Sequence, residues 1–154
     1  MRKMSSKPVA HHPQPELPPP ARQRSFCFPA VPAAVPVVRE RVTECLCRWE
    51  ITEETRRQVA IVVSELFTNV LRHTESENIT CVVVHDKDGL ELKVSDRGRG
   101  GIRLPTGPAD DESESGRGLL LVQAMAGSWG FSQQGEFHSV WACWPREALA
   151  CGTN

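Results

Sequence analysis

Val59, Val62, Val63, Leu66, Phe67, Val70 and Leu71 recur at i, i+3, i+4, i+7, i+8, i+11 and i+12 without a gap. A strand would scatter these residues over both of its faces, whereas a helix turning ~100° per residue gathers them into one stripe. The segment is therefore a helix with one buried side, and the remaining chain must supply a surface to cover it. Thr52 is placed as its N-cap, Glu53 and Glu54 suit the positive end of its dipole, and the pattern runs out near His73.

That surface is legible on both sides of the helix. Ser25–Phe28 has strand character, and Val35–Trp49 carries Val38, Val42, Cys45, Leu46 and Trp49 at helical spacing. Beyond the central helix, strands are expected over Ile79–His85 and Leu90–Asp96, with Asp88-Gly89 as the hairpin signal between them. Arg97–Gly116 reads as a long loop rich in Gly, Pro and acidic residues, a length that compact domains keep mainly for function. A short apolar helix over Gly118–Ala126 precedes a second hairpin, Trp129–Gln133 and Phe137–Trp144, turned at Gln134-Gly135-Glu136. The order predicts an α+β two-layer sandwich, with helices on one face of a mixed, mostly antiparallel sheet. The domain spans 25–145. Residues 1–24, rich in Pro, Gln, Arg and His, are expected to be a disordered tail, and 146–154 a C-terminal tail.

With a formal net charge of -1 the chain lacks the basic excess of a general nucleic-acid or anionic-membrane binder. No apolar run is long enough to span a bilayer, and the basic start is followed by His11, His12 and prolines, not by a signal-peptide core. A cytoplasmic protein is expected. Its six cysteines are then reduced thiols, several of them buried, and with no C-x-x-C pair they offer no zinc site.

Three stretches carry chemistry. In SELFTNVLRHT, Glu65 and Asn69 lie ~40° apart on the helix, at the edge of its apolar arc. The Asn69 oxygen is a hard donor suited to Mg²⁺, and Glu65 can accept a proton. In KVSDRGRG, Asp96 continues the apolar phase of Leu90, Leu92 and Val94, so its carboxylate points at the core side and needs a donor. The exocyclic amine of adenine is one such donor, and Gly98 and Gly100 let backbone approach a flat ring. In SGRGLLLV, Gly116 and Gly118 stand at a helix start, where free N–H groups favour phosphate, and Arg117 adds positive charge. No Walker P-loop and no Rossmann fingerprint occurs. Each stretch also has a plain structural reading: a solvated helix edge, an aspartate capping a glycine turn, and glycines ending a loop.

E-x-x-x-N on a long helix, D-x-G-x-G after a strand, and G-x-G-L before a helix together resemble the N, G1 and G2 boxes of the Bergerat (histidine-kinase-like) ATPases. Single-domain length and the ELxxNxxxH form of the first box are similar to the anti-sigma-factor serine kinases. The resemblance covers roughly Ser25 to Trp144. It implies ATP and Mg²⁺ as cofactors, with Asn69 holding the metal, Glu65 as catalytic base and Asp96 reading adenine. Gly98, Gly100, Gly116, Arg117, Gly118 and Leu119 would shape the nucleotide pocket and its lid. Where the family usually has a threonine, this chain has His138-Ser139-Val140, and Ser139 is taken to keep the hydroxyl.

By the same resemblance the partners are a sigma factor and an anti-sigma-factor antagonist, and the chain forms a homodimer. It would act as an anti-sigma factor with protein-serine kinase activity. The alternative is a non-catalytic, ATP-dependent module that sequesters a partner, motivated by Ser139 and by an acidic lid with Asp110, Asp111, Glu112 and Glu114. A detached histidine-kinase catalytic domain ranks behind both, since no helix pair bearing a phosphoacceptor histidine precedes the domain.

Overall fold

A computed structural model describes residues 21–97 and 114–149. The elements run β1 (Arg22–Pro29), α1 (Ala34–Arg48), α2 (Glu53–His73), β2 (Asn78–Asp86), β3 (Gly89–Arg97), α3 (Glu114–Met125), β4 (Ser128–Gln134), β5 (Phe137–Pro145) and α4 (Arg146–Leu149). The strands form one sheet in the order β1-β2-β3-β5-β4, and every pairing in it is antiparallel, where a mixed sheet was allowed for.

The apolar stripe of α2 is the centre of the core. Val59, Val62, Val63, Leu66 and Phe67 are fully buried, and α2 packs on α1, α3 and the inner face of β3. Thr52 caps the helix, its hydroxyl accepting the Thr55 backbone N–H at 3.3 Å, and satisfies one of the donors that a helix start leaves open. Pro36 stands in the first turn of α1, where a missing N–H is tolerated.

Period-two alternation decides which strand residues face the helices. Ile79, Cys81 and Val83 of β2, Leu90, Leu92 and Val94 of β3, and Val140, Ala142 and Trp144 of β5 are all buried. Phe28, Phe26 and Arg24 of β1 lie across from Ile79, Cys81 and Val83, so they share that inner face. Trp144 anchors its indole N–H on the Gln58 side chain at 3.2 Å, which fixes the lower end of α2 to β5.

The β2–β3 hairpin turns on Lys87-Asp88, and the Asp86 carboxylate accepts the N–H groups of Asp88 and Gly89. Gly89, at φ +141°, passes so close to the Trp144 carbonyl that any side chain would strike it.

Three boundaries differ from the sequence reading. β1 begins at Arg22, inside the segment assigned to the N-terminal tail, because ladder bonding to His85 extends the strand beyond its apolar residues. α4 occupies Arg146–Leu149, within the assigned C-terminal tail. α3 begins at Glu114, four residues before Gly118, since packing on α2 carries the helix through two glycines that locally favour a loop. Among the described residues no helix is long and apolar enough to cross a membrane.

Candidate functional site

Glu65 and Asn69 stand one turn apart on α2, both half-buried at the border of the stripe that ends in Val70. Glu65 faces α3. Its Oε2 occupies the space that a Cβ on Gly118 would take, so the glycine permits helix and carboxylate to meet. Beside it, the Ser64 hydroxyl accepts from Nε of Arg39 on α1 at 2.8 Å and donates to the Ala60 carbonyl at 2.8 Å. Sequence reasoning passed over Arg39, because nothing in the local pattern of α1 shows which helix it faces.

Asp96 closes the inner row Leu90, Leu92, Val94 on β3. It is 3% exposed, and its Oδ1 has no hydrogen-bond partner among the described residues. A buried carboxylate oxygen without a donor is costly, on the order of 1–3 kcal/mol or more for a charged group, unless a ligand supplies the missing hydrogen. An amine N–H on a bound base fits that acceptor.

The remaining sequence-derived residues divide. Gly98 and Gly100 lie outside the described residues, as does most of the acidic lid. Gly116 and Arg117 fall in the first turn of α3, whose leading N–H groups have no intrahelical acceptor and can meet an anion. Gly118 is buried in the second turn, so its part is the contact with Glu65, while Leu119 is half-buried behind it.

Ser139 is not brought to Asp96. Its hydroxyl hydrogen-bonds that of Ser95 at 2.7 Å, on the face of the sheet turned away from the helices. The residue directly across from Asp96 is His138, 5% exposed and on the helix side. The alternation of Val140, Ala142 and Trp144 already placed His138 inward and Ser139 outward, and that was the signal available in the sequence.

A cleft of about 450 Å³ lies elsewhere, between the β2–β3 turn and the end of β5, and includes Asp88, Glu91 and Cys143. It is at the opposite end of β3 from Asp96 and holds none of the residues above.

A five-stranded antiparallel sheet under helices makes an α+β sandwich, with Glu65 and Asn69 one turn apart on α2 and the buried acceptor Asp96 at a strand end. The chain belongs to the histidine kinase-like ATPase domain family, whose sequence pattern matches residues 28–144. Among solved structures, that of the RsbU and RsbW domains of Rv1364c from Mycobacterium tuberculosis shares the fold, with a TM-score of 0.60 and 14% identity. The match covers 80% of this chain and 32% of that one, so this chain corresponds to about a third of the larger protein. No curated protein matches the chain in sequence.

Proposed function

We propose that the protein is a cytoplasmic anti-sigma factor that binds ATP with Mg²⁺ and phosphorylates a serine on an anti-sigma-factor antagonist, working as a homodimer. The observation that carries this reading is Glu65, a carboxylate held at the first turns of α3 with Asn69 one turn along α2. A protein that only gripped nucleotide would need the buried acceptor Asp96 but not a carboxylate set against α3. The family membership and the fold shared with the RsbW-containing structure support the same assignment.

Bound ATP would supply the phosphoryl group, and Mg²⁺ the charge neutralisation that phosphoryl transfer needs. Asp96 accepts a hydrogen bond from the base and fixes its orientation. The Asn69 oxygen offers the metal one hard ligand. Glu65 orients the incoming serine and takes the proton from its hydroxyl oxygen. The free N–H groups of Gly116 and Arg117 face the phosphates.

The test is transfer of labelled phosphate from ATP to serine on a purified candidate antagonist, with wild type and Glu65→Ala. Serine labelling lost in Glu65→Ala, with nucleotide binding retained, supports the reading. Equal labelling by the variant removes Glu65 as the base. Tight ATP binding with no transfer to any candidate favours a non-catalytic module that uses ATP to sequester a partner, a reading to which Ser139 facing away from Asp96 lends weight.

A further inference from the structure

At the far side of the sheet from α3, β1 is an edge strand: among the described residues it pairs with β2 alone, which leaves its other row of backbone donors and acceptors without a ladder. Its inner face at this end is basic. Arg24 lies with its guanidinium 5.7 Å over the Phe26 ring, and Arg22 follows two residues earlier on the same side.

α1 roofs the same place. Between Arg24 and Phe26 on one side and Arg41, Arg48 and Trp49 on the other lies a recess of about 140 Å³, the room of a few waters or one short side chain. Trp49 is held in place by stacking on His85, 6.4 Å between centroids and 24° between planes. Cys45 forms the floor, buried and within electrostatic reach of both Arg24 and Arg48.

Three guanidinium groups therefore ring an aromatic-walled recess that contains one carboxylate, Glu44. Glu44 is paired with Arg48 at 2.9 Å in a contact 55–71% exposed, a surface pair that a better-placed anion can displace. The whole chain has net charge -1, so this concentration of positive charge is local and not a reflection of composition.

We propose that this corner docks an acidic, extended segment of a protein partner. The segment adds as a strand to the free edge of β1, and one of its carboxylates enters the recess between Arg24, Arg41 and Arg48. Backbone pairing supplies affinity without sequence demand, and the forked guanidinium donors select a carboxylate. The patch is a single recess and not a basic stripe, which favours a short acidic peptide over a nucleic-acid backbone.

The test uses the full chain, labelled with ¹⁵N, and as probe an acetylated, amidated heptapeptide alternating glutamate with threonine. Expected are amide shifts along β1 and at the Trp49 indole, weaker as salt rises. The double variant Arg24→Glu, Arg41→Glu should lose about tenfold or more in affinity, with Arg57→Glu on α2 as a control that changes little. If charge reversal unfolds the protein, the double variant Arg24→Gln, Arg41→Gln should still weaken binding. The proposal is overturned if β1 does not respond, or if a lysine–threonine peptide binds equally well. It is also overturned if a single-stranded oligonucleotide of equal charge binds more tightly, or if β1 proves to be covered by a second copy of the chain without any peptide.

Discussion

The Glu65 carboxylate closes over the bare Cα of Gly118, its Oε2 standing where a Cβ on that residue would lie. Gly118→Ala would push the carboxylate aside or part the helices. Alanine is the better helix former by about 0.5–1 kcal/mol, so thermal stability should hold within a few degrees. Phosphotransfer, which depends on where Glu65 points, should fall by about tenfold or more. Melting curves and single-turnover transfer on the same samples check both halves.

Asp96→Asn should abolish nucleotide binding without harming the apo protein. The buried carboxylate has an oxygen with no partner among the described residues, so replacing it by a neutral amide removes a desolvation cost. Saturating Mg²⁺-ATP at a hundredfold over its dissociation constant should add about 2.7 kcal/mol to wild type, a shift of several degrees, and nothing to the variant. A variant that still shifts would show that Asp96 does not read the base.

Residues 138 and 139 should separate cleanly. Ser139→Ala breaks the hydroxyl pair with Ser95 on the outer face and should lower stability by about 0.5–1.5 kcal/mol while leaving ATP affinity alone. His138→Ala, across from Asp96 on the inner face, should change ATP affinity. Calorimetric titration of both variants decides; the reverse pattern would mean that the hydroxyl and not the imidazole lines the pocket.

Stability should decline on both flanks of neutral pH. Burial pushes the Cys81 thiol up to about 12 from its ordinary 9.0, with Cys45 adding to the shift. A raised thiol is stabilising below the unfolded value, and that contribution is lost as pH climbs from about 9 towards 12. His85 moves the other way: burial, then Arg22, hold its pKa below 6.5, so the neutral ring's contribution is present above 6.5 and lost as pH falls beneath it. Urea midpoints against pH should show both limbs, with Cys81→Ala reducing the alkaline one and His85→Gln the acid one. At neutral pH a thiol reagent should modify exposed Cys27 and Cys47 quickly, and buried Cys45 and Cys81 only on unfolding.

Periodicity made most of the architecture readable. The stripe from Val59 to Leu71 could only be a helix, Thr52 could be named as its cap, and alternation in Leu90–Asp96 turned a carboxylate inward. These are local properties: each follows from 3.6 or two residues per repeat and needs no knowledge of what lies opposite. Where Glu65, Asn69 and Asp96 stand relative to the apolar faces was legible for the same reason, since each sits at a fixed phase relative to apolar neighbours.

Tertiary structure decided what those phases meet. Two glycines in one short stretch speak locally for a loop, yet α3 runs through both because α2 offers a surface to pack on, and the same packing sets Gly118 against Glu65. Register across β3 and β5 put His138 and not Ser139 beside Asp96, a pairing between residues far apart in the chain. The arginine-ringed recess likewise exists only because α1 crosses β1 where both are basic. Sequence fixes which side of an element a residue occupies; only the packed fold brings one side against another, because contact is made between elements and not within them.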